Sequence, residues 1–260
     1  EELPPEQLMS LMITYLTEMT DILMNHGGLL DKYVGDAIVG MFGGLIPTEN
    51  HAYQAVAAAI AIQRRQKILR EQWRKEGIWP ESVCHMRTRI GINTGEAIVG
   101  NMGSNRRFNY TMIGDAVNLA ARCESGAKSY GIQTLVTGET RVAAITFKDD
   151  VVYRYIDRIV VQGRSTPVDV IEVVGFKSDV PENVMECIRL YDEGVRAYLE
   201  QSWDEAAGKF SLASRIEALQ PGVDRGASIN PSIVMLQRVE YMKANPPEAG
   251  WSGVYRMESK

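Results

Sequence analysis

The stretch LLDKYVGDAIVGMFGG, residues 29–44, constrains the fold more than any other part of the chain. Two apolar runs flank Gly35-Asp36, and short apolar runs around such a pair read as a β-hairpin. Glycine-punctuated β-rich runs return in HMRTRIGINTGEAIVGNMG (85–103), and VVYRYIDRIVVQGRSTPVDVIEVVG (151–175) reads as another hairpin. Helical periods lie between them. PEQLMSLMITYLTEMTDILMN (5–25) carries apolar residues at helical spacing, with Pro4 and Pro5 at its start and Gly27 past its end. Residues 49–76 form a second long helical pattern, apolar early and charged late. A third helix follows Gly114-Asp115 and ends at Gly126 or Gly131. IQTLVTGETRVAA (132–144) adds a strand and a short helix. Hairpins demand antiparallel pairing, so interleaved helices and strands of this kind predict an α+β fold and not a doubly wound parallel sheet.

The pattern changes near Lys177-Ser178-Asp179. A first domain is expected over residues 1–178, and a helical appendage over 181–260 ending in the irregular tail GWSGVYRMESK. Within the appendage, Gly194, Tyr198, Trp203, Ala206 and Phe210 partly match a tetratricopeptide-type helix pair. One such pair cannot form a solenoid, so it is expected to pack on the main domain or on a partner.

Composition narrows the partners. The formal net charge is −5, which leaves no basic footprint for a nucleic acid. The three cysteines, Cys84, Cys123 and Cys187, have no CxxC spacing, which fits reduced thiols in the cytoplasm. The longest strongly apolar run, AVAAAIAI at 55–62, falls far short of the roughly 20 residues of a membrane span. The chain opens EELPPEQL with neither an initiator Met nor a signal peptide. It is therefore expected to be part of a longer protein with an upstream sensor domain, cytoplasmic by itself or as the cytoplasmic part of a membrane-anchored protein.

Some polar residues stand where chemistry could use them. Asp is favoured in turns for local hydrogen-bonding reasons, and Lys32 could be an edge-blunting strand lysine. An acidic turn also suits a hard cation, since Mg²⁺ binds through one or two carboxylates plus substrate phosphates. In YTMIGDAVNLAAR, Asn118 and Arg122 lie four residues apart and share one face of a largely apolar helix. An arginine there offers phosphate oxygens a planar fork of donors, although a structural ion pair is its ordinary role. His26, His51 and His85 lack metal-ligand spacing and read as structural or solvent-facing. The basic run RRQKILREQWRK (64–75) reads as a solvated helix face, and Met9, Met12, Met19 and Met24 as core or dimer packing.

Taken together, DKYVGDAIVGMFG, RIGINTGEAIVGNMG and YTMIGDAVNLAARCES match, in order, the successive motifs of the class III nucleotidyl cyclases. The resemblance covers roughly residues 5–175, and the C-terminal tail resembles those of some bacterial members. It implies a ferredoxin-like antiparallel sheet with flanking helices, working as a head-to-tail homodimer with its sites at the interface. By this resemblance Asp36 is one of two metal-holding aspartates for Mg²⁺ or Mn²⁺. Lys32 and Thr111 match the base-reading positions, where guanylyl cyclases carry Glu and Cys. Asn118 matches the ribose-orienting residue, Arg122 the arginine at the reacting phosphate, and Arg89 a phosphate-side arginine. The implied substrate is ATP and the product cyclic AMP. A catalytically silent homology domain and a guanylyl cyclase are the alternatives.

The chain departs from the family in two places. The family's first metal aspartate lies on a strand before the first helix, a stretch this sequence lacks; that strand is expected in the longer protein. The family's VKGK loop reads Val161-Gln162-Gly163-Arg164 here, leaving Arg164 as the residue to reach phosphate.

Overall fold

A computed structural model of the chain describes residues 2–45, 47–160, 166–219, 229–248 and 250–256. Two compact units divide it, Glu1–Ala121 with Glu139–Asp149, and Arg122–Gly138 with Asp150–Lys260.

In the first unit, helix α1 (Pro5–Asn25) opens on Pro5, whose fixed φ and missing N–H suit the first helical turn. Leu11, Tyr15, Met19 and Leu23 recur every four residues and are buried as one stripe. His26 ends the helix with Nδ1 2.8 Å from the Ile22 carbonyl oxygen, a structural role. Helix α2 (His51–Glu76) buries its alanine-rich first half. Leu69 and Trp73 from its second half join Leu11, Tyr15 and Met19, with Val83 and Cys84 of the short α3 (Glu81–Cys84), in one core. Part of the basic run is used locally. Arg65 grips Glu18 of α1 with both ends of its fork, at 2.9 and 2.6 Å, and this pair holds the Glu18 carboxyl below the usual carboxylate range.

The hairpin anticipated at residues 29–44 forms from β1 (Gly28–Val34) and β2 (Ala37–Phe42). Gly35 sits in its turn at φ +63°, a conformation that disfavours other residues. The register runs from Leu30 opposite Gly40 to Lys32 opposite Val39, so Asp31 is an extra residue, a β-bulge. A short strand β3 (Ile90–Ile92) precedes β4 (Ile98–Ser104), which pairs antiparallel with β5 (Arg107–Ile113) through a two-residue turn. The glycine-punctuated run therefore finds its hairpin partner further along the chain, in the strand that carries Thr111. Helix α4 (Asp115–Tyr130) starts directly after Gly114, and the division between the units falls inside it. Helix α5 (Gly138–Phe147) places the Phe147 ring 5.4 Å from that of Tyr53.

In the second unit, β6 (Thr134–Thr137), β7 (Val151–Val160), β8 (Val168–Phe176) and β9 (Tyr255–Arg256) run in the order β6-β8-β7-β9. The pairings are antiparallel except β7 with β9, which is parallel. Helices α6 (Glu182–Leu199), α7 (Trp203–Glu217) and α8 (Pro231–Ala244) form a core around Tyr191, Tyr198, Phe210 and Met235. Asn230 caps α8, its Oδ1 accepting from the Ile233 N–H at 2.8 Å. The whole is the α+β arrangement of antiparallel sheets and flanking helices that the motifs imply. Among the described residues, no helix is long and apolar enough to cross a membrane.

Two buried ion networks lie in this unit. Arg154 bonds Glu172 through Nε at 2.7 Å and Glu217 through Nη1 at 2.5 Å. Asp157 Oδ2 accepts from the Tyr130 hydroxyl at 2.5 Å and from Arg238 Nη1 at 2.6 Å. The Arg238 guanidinium then lies over the Tyr255 ring, 3.8 Å from its centre.

At Gly194 of α6 the Phe210 ring of α7 packs closely. A Cβ there would stand 2.8–3.0 Å from three carbons of the Phe210 ring. Gly194→Ala is expected to cost about 1–3 kcal/mol by overpacking, read from denaturant unfolding. A neutral effect would mean that Phe210 moves aside freely.

Candidate active site

The site builds outward from the first hairpin. Asp36 is exposed at its turn and, among the described residues, has no hydrogen bond or ion pair. Its charge reaches the Tyr15 hydroxyl, which burial pushes above its ordinary pKa, with Asp36 adding to the rise. Tyr15 lies 3.0 Å from the Thr88 hydroxyl, and Gln63 donates to the Thr88 carbonyl at 2.8 Å. This pins the chain immediately before Arg89, an exposed residue that leads into β3.

Lys32 and Thr111 come together through a residue that the sequence reading passed over. The Thr111 hydroxyl, buried on β5, donates to Asp31 Oδ2 at 2.9 Å. Lys32 Nζ stands 3.6 Å from the same oxygen. The Asp31 side chain is 2% exposed, and its Oδ1 has no hydrogen-bond partner among the described residues. A signal was present in the sequence: Asp31 and Lys32 are adjacent polar residues in a strand that should alternate, which marks either a bulge or a buried charge.

On α4, Leu119 and Cys123 are buried while Asn118, one residue before Leu119, is exposed. Asn93 donates to the Ala116 carbonyl at 3.0 Å, holding the first turn of the helix. Arg122, four residues after Asn118, keeps Nη1 buried without a hydrogen-bond partner among the described residues. A guanidinium donor withheld from water and left unfilled is costly, and it suits an anion that arrives from outside. Arg164 and Gln162 lie outside the described residues.

For a metal, the described residues contain no cluster of three or more His, Cys, Asp or Glu side chains. The unengaged carboxylate of Asp36 fits one ligand position of a hard cation whose remaining positions come from substrate phosphates and water.

Residues 1–173 match the sequence profile of the adenylate and guanylate cyclase catalytic domain. The terminal-differentiation-specific adenylate cyclase of Dictyostelium discoideum is 33% identical over 217 residues, 83% of this chain but 10% of that protein. The chain thus spans a small part of this curated relative's length. The adenylyl cyclase CyaB from P. aeruginosa is 37% identical, with a TM-score of 0.59 over 69% of this chain and 88% of that one. The guanylyl cyclase Cya2 is 32% identical, with a TM-score of 0.57 over 67% of this chain and 84% of that one. With the three cyclase motifs on the hairpins and helix where their residues are placed, and a profile match across most of the chain, this chain belongs to the adenylate and guanylate cyclase catalytic domain family.

Proposed function

We propose that this chain is an adenylyl cyclase domain that converts ATP to 3′,5′-cyclic AMP and pyrophosphate. The observation that carries the reading is the convergence of Lys32 and Thr111 on one carboxylate oxygen, which sets two base-reading groups side by side. The lysine ammonium only donates. It suits the acceptor N1 of adenine and meets the N1–H of guanine donor to donor, a mismatch that discriminates well because buried polar groups are left unpaired.

The other residues serve the phosphates and the sugar. Asn118 orients the ribose so that its 3′-oxygen, giving up its proton to water, bonds the α-phosphorus in line as the bond to the departing pyrophosphate oxygen breaks. Arg122 offers its fork to the charge that grows on that phosphate, and Arg89 and Arg164 hold the phosphate side. Asp36 holds a divalent cation, Mg²⁺ or Mn²⁺, which when bound supplies charge stabilisation to the attacking and leaving oxygens. The site is completed by a second copy placed head to tail. In support of that pairing, the large side chains of Tyr33, Val34, Ile98, Phe108, Tyr110 and Ile113 stand exposed on the two hairpins of the first unit. Cys84, Cys123 and Cys187 are buried and form no disulfide among the described residues, which supports a cytoplasmic setting, and the small share of the Dictyostelium protein that the chain covers supports a longer protein with a regulatory domain.

Cyclic nucleotide formation from ATP and from GTP, measured over a range of chain concentrations with Mg²⁺ or Mn²⁺, tests this. Cyclic AMP from ATP alone, with specific activity rising with concentration, is the expected result. Cyclic GMP from GTP would make the chain a guanylyl cyclase, and no product under any condition would make it a silent homology domain.

A further inference from the structure

We infer that Asp31 is a positioning residue that makes this site read adenine, by taking the Thr111 proton and leaving the Thr111 oxygen able only to accept. The inference rests on the adenylyl cyclase reading above and explains a gap in it. A threonine hydroxyl is ambivalent: it can donate or accept, so by itself it cannot tell the 6-amino group of adenine from the 6-oxo group of guanine.

The geometry removes that ambivalence. The single hydroxyl proton of Thr111 is committed to Asp31 Oδ2 at 2.9 Å. A carboxylate only accepts, so the bond has one polarity, and Thr111 is left with lone pairs alone to offer any further partner. The 6-amino group of adenine donates to such an oxygen, whereas the 6-oxo group of guanine meets it acceptor to acceptor. Lys32 Nζ is 3.6 Å from the same Asp31 oxygen, beyond hydrogen-bond length but close enough for charge to hold it there. One carboxylate therefore sets both the spacing and the polarity of the reading pair.

Two further observations make Asp31 more than a strand residue that happens to lie nearby. It is the extra residue of the β1 bulge, and bulges re-aim side chains beside functional sites. It is also buried to 2% exposure with Oδ1 unpartnered among the described residues, a costly placement for a carboxylate that only joins two strands.

The test is the ratio of kcat/KM for ATP to that for GTP in the wild-type chain and in Asp31→Asn, each also in a Thr111→Ala background. The amide keeps the size of the side chain but can donate to Thr111, turning the hydroxyl proton toward the base. The ratio is expected to fall by roughly tenfold or more in Asp31→Asn, mostly through KM. In the Thr111→Ala background the same substitution is expected to lower the ratio much less, because only its hold on Lys32 is then lost. An unaltered ratio in Asp31→Asn, or an equal fall with Thr111 absent, overturns the inference while leaving the adenylyl reading standing. If Asp31→Asn lacks a cooperative melt, the wild type decides by turnover of 6-methoxypurine riboside triphosphate against N6-methyl-ATP. Both carry a methyl at the 6-substituent, but the first presents an acceptor there and the second a donor. The methoxy compound is expected to be the poorer substrate by roughly tenfold or more, and equal turnover overturns the inference. A wild type that does not prefer ATP to GTP overturns the adenylyl reading itself, and this inference with it, before any variant is made.

Discussion

Replacing Arg122 with alanine is expected to lower cyclic nucleotide formation on the order of a hundredfold or more while leaving the unfolding midpoint unchanged or slightly raised. The two halves of that result have one origin. Arg122 keeps Nη1 buried with no hydrogen-bond partner among the described residues. An unmet buried donor costs about 1–3 kcal/mol, so its removal relieves the fold. In the proposed mechanism the same unmet donor meets a phosphate oxygen, and its loss leaves the charge that develops there without a counterweight. Arg122→Lys should recover only part of the rate, because an ammonium is a point charge and lacks the planar fork. Steady-state kinetics and a thermal melt on the same preparations check both halves. An active but less stable Arg122→Ala chain would mean that Arg122 is a structural residue.

The largest expected effect on stability is at Arg154. Its guanidinium bonds Glu172 and Glu217 and stacks 5.2 Å from the centre of the Tyr191 ring. Arg154→Ala would strand two carboxylates in the interior, and breaking a buried pair in this way costs about 3–5 kcal/mol. The loss should depend on pH in a definite direction. Burial already pushes the Glu172 carboxyl above its ordinary pKa even with Arg154 beside it. Without the arginine the folded state holds its proton still more tightly than the unfolded chain does. Stability then falls as pH rises through that folded-state value and recovers as pH falls below it. Urea unfolding of the variant near neutral and at about pH 5 should therefore show the smaller loss at the lower pH. A loss near neutrality of less than about 1 kcal/mol, the range of an exposed pair, would mean that water reaches these carboxylates in the folded chain.

How much of this was legible in the sequence depends on the range over which each feature is encoded. The α1 stripe of Leu11, Tyr15, Met19 and Leu23 and the Gly35-Asp36 turn are local patterns, and periodicity and turn chemistry place them directly. Lys32, Asp36, Thr111, Asn118 and Arg122 were legible only through their motifs, since each residue alone has an ordinary structural explanation. Asp31 was not found because the bulge breaks the two-residue alternation by which a strand's inward face is read. The bond from Arg238 to Asp157 joins residues 81 positions apart, a separation that no local period reports. Strand β9 has two described residues, Tyr255 and Arg256, too few to show any alternation. The Glu18–Arg65 grip is a milder case: the basic run showed a charged helix face but not which of its arginines would be engaged.

The parallel pairing of β9 with β7 bears on how the chain is made. Residues Ile159 and Val160 wait for Tyr255 and Arg256, which leave the ribosome long after the β7–β8 hairpin can close. During that interval the far end of β7 carries unpaired amide and carbonyl groups, which can template a neighbouring chain. Seating the tail closes this edge, and Arg238, folded over the Tyr255 ring, is positioned to hold it there. Translational pausing within α8 would lengthen the open interval, so the speed of synthesis through the last helix bears on how much nascent chain is lost to misassociation.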